Sequence, residues 1–138
     1  MASFPGLIYQ SAAIPLKSGK VCLVKSSGGK RWIVPKGCLE AGKSLREIAL
    51  QEAWEEAGLV GVLNPEPVGS YVYEKWGSTC HVTVFLMEVT ESAEEYPESL
   101  LRERAWVTPS QALQHIKDPG LHALLLKVLK EERMEVKV

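Results

Sequence analysis

The chain has 138 residues, 46% of them hydrophobic and 24% charged, with a formal net charge of −1. This is the composition of one globular domain spanning residues 1–138, and it lacks the basic excess that a duplex nucleic-acid or membrane-surface footprint needs. No apolar run reaches transmembrane length, and the opening Met-Ala-Ser-Phe-Pro-Gly lacks the charged and apolar regions of a signal peptide.

In chain order, apolar runs over 7–15 and 20–25 flank Lys17-Ser18-Gly19, a strand–turn–strand pattern. Ser26-Ser27-Gly28-Gly29 reads as a hairpin tip beside Lys25, Lys30 and Arg31. These cations either point into solvent or reach phosphates, a lysine as a point charge and an arginine as a bidentate fork. Arg31–Gly37 is a short strand that Pro35 ends, with Gly37 expected to take a backbone conformation that other residues resist.

Ser44 and Glu47 form a capping-box signature, so a helix is predicted from there to Gly58, a C′ stop. Glu52, Glu55 and Glu56 share one helical face, because Glu56 falls about 40° from Glu52 and Glu55 about 60° on the other side. Ala49, Leu50, Ala53 and Ala57 lie on another face, and Trp54, turned away from the acids, is expected to pack. Like charges at this spacing repel, and a hard divalent cation turns that repulsion into coordination; a solvated acidic face is the plainer alternative.

Beyond the helix, 60–67 contains two prolines and reads as a loop. Runs at 68–75 and 79–89 read as an antiparallel hairpin turned by Trp76-Gly77-Ser78, and 90–101 is an acidic loop around Tyr96-Pro97. A strand is expected at 102–107. Thr108 and Pro109 start a helix to Ile116, Asp118-Pro119-Gly120 breaks it, and a last helix begins at Leu121. The three cysteines, Cys22, Cys38 and Cys80, form no Cys-x-x-Cys pair, which argues against disulfides and zinc and for a reducing cytoplasm. Cys22 and Cys80 are expected in the core.

Gly37–Leu59 resembles the Nudix box, Gly-x5-Glu-x7-Arg-Glu-u-x-Glu-Glu-x-Gly-u, with u apolar. Gly37, Glu52, Ala53, Glu55, Glu56, Gly58 and Leu59 match; Lys43 replaces the box glutamate and Gln51 the box arginine. The same stretch contains Gly37-Cys-Leu-Glu-Ala-Gly42-Lys43-Ser44, a formal phosphate-loop match, but the alternating strands and helices of that fold are missing around it. The resemblance implies an α/β fold, an α/β/α sandwich with a mixed central sheet.

The resemblance further implies hydrolysis of a diphosphate joined to another group, by water attack at phosphorus. Glu52, Glu55 and Glu56 are then catalytic and ligate Mg²⁺ or Mn²⁺ with the Gly37 carbonyl, and Glu56 is the chosen general base. Some members recruit a loop glutamate, for which Glu94, Glu95 and Glu98 are the candidates. In the family the box arginine is linked to the box glutamate and orients the first metal-binding glutamate. On an ideal helix Lys43 lies about 13 Å from Glu52, so it neutralises the acids only if the intervening loop folds back. A metal site weakened or retuned by Lys43 and Gln51 is expected.

Arg31-Trp-Ile-Val-Pro-Lys-Gly37, Gly69-Ser-Tyr-Val-Tyr73, Tyr96-Pro-Glu98, Arg102 and Ala105-Trp-Val107 are similar to the diphosphoinositol polyphosphate phosphohydrolase branch. That implies a small phosphorylated substrate held by Arg31, Lys36, Tyr73, Lys75 and Arg102. The slight overall acidity ranks a nucleoside diphosphate derivative or dinucleoside polyphosphate ahead of a diphosphoinositol phosphate. Trp32, Tyr73 and Trp76 offer faces for a base. A nucleotide-binding module without catalysis is the rival reading, and either could be a homodimer.

Overall fold

The computed structural model describes residues 6–134. Strands β1 (Leu7–Lys17), β2 (Lys20–Lys25), β3 (Trp32–Ile33) and β4 (Lys36–Cys38) precede helix α1 (Leu45–Ala57). Strands β5 (Leu59–Leu63), β6 (Gly69–Lys75), β7 (Ser78–Ser92) and β8 (Arg104–Val107) follow, then α2 (Pro109–His115) and α3 (Pro119–Glu131). They form one mixed sheet in the order β3-β2-β1-β7-β5, with β4 also on β1, β6 on β7 and β8 on β2. β1 and β7 run parallel from Leu7↔Thr79 to Leu16↔Glu88, and the other pairs are antiparallel.

Strand alternation sends side chains to opposite faces of the sheet. Ile14, Val21, Leu23, Val82 and Val84 pack with Leu121, Leu125 and Leu129 on one face. Ala13, Cys22, Val24, Phe85 and Met87 pack under Ala49, Ala53 and Ala57 on the other. The small alanines let α1 lie close to the sheet, which fixes its acidic face. The expected α/β/α sandwich is the observed architecture.

Several features differ from expectation: the single strand expected at 31–37 is split into β3 and β4 on different neighbours, and β7 continues to Ser92, where a loop was expected. Residues 59–63 form β5 rather than a loop, with Leu59 and Leu63 buried and Val60 and Val62 exposed. Only Gly fits at position 61, where a Cβ would lie 2.1 Å from the Glu88 carbonyl oxygen. Asp118-Pro119-Gly120 does more than break a helix: Asp118 caps α3 by accepting from the Gly120 and Leu121 amides, and Pro119 takes the first turn, which needs no donor. Leu50 and Trp54 stay 37% and 39% exposed, because α1 contacts the sheet through a narrower alanine and Ile48 stripe.

Cys22 and Cys80 are buried and Cys38 is exposed; all three are free thiols. Burial pushes the Cys22 thiol up to about 12. The native protein is therefore expected to yield one fast-reacting thiol with a disulfide reagent, lost in Cys38→Ser, with the other two appearing only on unfolding. A second fast thiol would contradict this packing.

Candidate active site

The capping box at the start of α1 forms as expected: the Glu47 amide donates to the Ser44 hydroxyl at 3.1 Å and the Ser44 amide to the Glu47 carboxylate at 2.9 Å. At its end Gly58 adopts φ 67°, ψ 30°, and its amide reaches the Ala53 and Trp54 carbonyls. A Cβ there would also strike the Tyr96 ring at 2.4 Å, so this glycine serves both the helix stop and the loop packed on it.

Before α1, β3 stops at Ile33 and the chain steps from β2 to β1, where β4 pairs Lys36–Cys38 with Ala12–Gln10. This step lays the Gly37 main chain against Glu52. Gly37 is not among the positive-φ glycines, so the expectation of an unusual backbone there is corrected. The requirement is space, since a Cβ on Gly37 would lie 2.5 Å from Glu52 Cδ.

Glu56 is 6% exposed, the one buried acid among the described residues. It accepts from the Lys36 amide at 3.2 Å and faces Arg102 at 3.8 Å. Burial pushes its carboxyl up to about 8, against the pull of Arg102, and contact with Glu52 adds to the rise. Burial also raises Glu52, with Glu55 adding repulsion. Two carboxyls in contact, both held above their ordinary range, form an oxygen-rich site in which one proton offsets the repulsion. A hard divalent cation suits that donor set. Among the described residues, however, no three acids, histidines or cysteines already surround a common cation position.

The loop before α1 folds back, which settles the position of Lys43. Its ammonium donates to Gln51 Oε1 and pairs with Glu40 at 3.5 Å. Gln51 Nε2 in turn donates to Glu40 at 2.8 Å and to Glu52 Oε2 at 3.3 Å. Lys43 is thus engaged beside α1 and not free as a phosphate-loop lysine, while Gln51 still contacts the first acid of the face.

Arg102 joins the acids to the 93–103 loop. Its Nε and Nη2 each lie 2.8 Å from Glu98 Oε1, and its Nη1 donates to the Lys25 carbonyl at 3.0 Å. The Glu98 amide donates to the Glu55 carbonyl at 2.9 Å, tying the loop to α1. Of the three loop glutamates considered, Glu98 is the one at the site; Glu94 and Glu95 are exposed.

A cleft of about 340 Å³ opens over Glu56. Arg31, Lys36, Tyr73, Lys75 and Arg102 line it with Lys30, so the residues expected to hold substrate meet in one place. Lys36 lies 5.3 Å from the Tyr73 ring centre, and burial followed by the repulsion of Lys75 and Arg31 lowers its pKa. Tyr73 donates its hydroxyl to Gln10 at 2.7 Å. Glu52, Glu55 and Gly37 lie outside the lining of the cleft. Sequence reasoning missed Gln10 and Glu40, whose roles follow only from pairings distant in the chain. Trp76, 85% exposed under Lys75, does not line the cleft.

The profile of the NUDIX domain family matches residues 9–128. The chain belongs to the Nudix family. It is 33% identical over 125 residues to Nudix hydrolase 12, mitochondrial, of Arabidopsis thaliana, covering 83% of this chain and 62% of that protein. It is 34% identical over 119 residues to diphosphoinositol polyphosphate phosphohydrolase 3-alpha of Mus musculus, covering 83% of this chain and 71% of that one. The chain spans 62% or less of the length of the first Arabidopsis Nudix hydrolases it matches. In structure it superposes on the C. elegans Ap4A hydrolase with a TM-score of 0.75 at 17% identity, over 91% of this chain and 98% of that one. Several Nudix relatives carry mitochondrial or chloroplastic names, so the cytoplasmic expectation gains no support from them. No helix among the described residues is long and apolar enough to cross a membrane.

Proposed function

We propose that this Nudix domain hydrolyses the diphosphate linkage of a dinucleoside polyphosphate or related nucleoside diphosphate derivative. The observation that carries the reading is the convergence of Arg31, Lys36, Lys75 and Arg102 with buried Glu56 in one cleft. The cations are segregated here, so the net charge of −1 does not limit the charge of the ligand. They neutralise the phosphates, and Arg31, whose guanidinium is not tied up among the described residues as that of Arg102 is, presents a planar fork that matches phosphoryl oxygens.

Glu52, Glu55 and Glu56, with the Gly37 carbonyl, are the groups that would hold Mg²⁺ or Mn²⁺. Such an ion supplies charge neutralisation at phosphorus and acidifies the attacking water. Glu56, the buried carboxyl reached from the cleft, is the group that accepts a proton from the attacking water. Arg102, held by Glu98, keeps Glu56 oriented. A reducing compartment, in our reading the cytoplasm, suits the three free thiols.

Gln51 orients Glu52 in place of the box arginine. Gln51→Ala is expected to raise the Mg²⁺ concentration for half-maximal activity about tenfold, the usual cost of losing such an outer contact. Restoring Lys43→Glu with Gln51→Arg is expected to raise turnover; an unchanged or lower rate would show that the present pair is already adequate.

Two observations favour other readings. The absence of a ready three-acid cluster among the described residues favours a weakened, nucleotide-binding module. The mouse relative and the cation cluster favour a diphosphoinositol phosphate. A panel of dinucleoside polyphosphates, ADP-ribose, nucleoside triphosphates and diphosphoinositol phosphates, assayed with Mg²⁺ and with Mn²⁺, separates all three. Preferred turnover of the dinucleoside compounds is expected. Binding without turnover supports the module, and preference for the inositol compounds supports the third reading.

A further inference from the structure

A second and larger cavity, about 720 Å³, lies on the other side of Arg102. Ser26 and Arg102 line both it and the catalytic cleft, so the two spaces meet at the guanidinium. Its walls are the hairpin tip after β2 and the 93–103 loop. We propose that this cavity holds the second nucleoside of a dinucleoside polyphosphate, with the phosphate chain passing Arg102 from the cleft. The inference rests on the function proposed above and names what lies beyond the cleaved linkage.

Its chemistry favours an uncharged planar ring over a further phosphorylated group. Arg102 is committed to Glu98, Glu56 and the Lys25 carbonyl. Arg104, also in the lining, donates at 2.7 Å to the carbonyls of Ala57 and Ala93 and stacks 4.9 Å from the centre of Tyr96. Glu103 adds a negative charge. Lys25 is thus the one lining cation without a protein oxygen partner among the described residues, and its ammonium lies 4.7 Å over the Trp32 ring. One lysine beside a carboxylate does not neutralise a multiply phosphorylated inositol.

Part of the cavity's apolar surface, at Leu100 and Leu101, is left uncovered by the protein itself. Leu100 and Leu101 stand 97% and 77% exposed at its rim, opposite the partly buried Trp32. Large apolar side chains left in water gain by being covered, and a nucleobase offers an apolar, polarisable face of suitable size. The loop that carries both leucines is fixed at its base, through Glu98 to the Glu55 carbonyl and through Tyr96 against Gly58, so the wall is preformed. The cavity also lies within the usual volume range of small-molecule sites.

The test is a calorimetric titration, in Mg²⁺, of two methylene-bridged, non-hydrolysable ligands. One is a diadenosine tetraphosphate analogue and the other an adenosine tetraphosphate analogue whose terminal phosphate is capped as a methyl ester, so that the two carry equal charge and differ in the second nucleoside. Wild-type protein is expected to bind the two-base ligand about tenfold tighter, as stacking of one base predicts. The difference should shrink by about threefold or more in Leu100→Ser/Leu101→Ser, two exposed positions whose change removes the apolar rim. Equal affinities in the wild type, or a difference that survives the double substitution, overturn the proposal. Turnover of the hydrolysable parents is measured in parallel. A binding difference without turnover contradicts the hydrolase reading alone, and turnover without a binding difference contradicts the second-nucleoside site alone.

Discussion

Replacing Glu56 by Gln is expected to lower kcat about a thousandfold, the range for loss of a general base, with substrate affinity far less affected. The same change should flatten the pH dependence of stability in metal-free protein. The Glu56 carboxyl is pushed from its ordinary 4.5 up to about 8 in the folded chain, by burial first and by Glu52 second. A group raised in this way contributes stability that is full below about pH 4.5 and is lost as pH climbs to about 8. Metal-free wild type should therefore melt at progressively lower temperature across that interval. Glu56→Gln cannot ionise, so its melting temperature should fall less, the remainder coming from Glu52 and other groups. Both readouts are needed: calorimetry from pH 5 to 9 reports the buried carboxyl, and steady-state kinetics report its role. Intact turnover in the variant would remove Glu56 from the chemistry even if the stability slope behaved as expected.

Arg102→Ala carries the next largest expected effect. It strips the partner from buried Glu56, frees Glu98, and leaves the Lys25 carbonyl without its donor. Because the raised Glu56 carboxyl can keep its proton instead of standing as an unpaired charge, the stability lost is that of the hydrogen bonds to partly exposed Glu98 and the Lys25 carbonyl, about 1–3 kcal/mol. Loss of activity by about a hundredfold is expected as well, because the same guanidinium lines the cleft proposed to take the substrate. Arg102→Lys should restore part of the stability and little of the activity, since an ammonium cannot reach Glu98, Glu56 and a carbonyl at once. Chemical denaturation with parallel kinetics checks both. Equal recovery of stability and rate in the lysine variant would mean that Arg102 acts through charge alone.

What the sequence made legible depended on periodicity and on local signals. The β7 run, the Ser44–Glu47 box, the Gly58 stop and the shared face of Glu52, Glu55 and Glu56 are properties of neighbouring residues, and each appears where expected. β5 was hidden because its pattern is short, contains Gly61 and runs into prolines; its strand character comes from pairing with β7, some thirty residues away. The position of Lys43 followed the same rule. Along an ideal helix it lies far from the acids, yet a turn through Gly42, at φ 81°, brings it back onto Gln51. Gly37 is required for space rather than for an unusual backbone, and only the fold reveals that Glu52 occupies the place of a Cβ. The five substrate-binding candidates came from a motif resemblance and a charge argument, and their convergence on Glu56 needed the step from β3 to β4 and the anchored 93–103 loop. The second cavity had no sequence signature, since its walls are separated by some seventy positions and its leucines read as ordinary loop residues.

Hydrolysis at the carboxyl face of α1, as proposed, depends on a divalent ion. Nucleotide release from diadenosine tetraphosphate, followed chromatographically with Mg²⁺, after EDTA, and after Mg²⁺ is restored, tests it most directly. Release is expected to stop with the chelator and to resume with the ion. Release indifferent to EDTA, or no release from any member of the substrate panel while ligand binding persists, would contradict it.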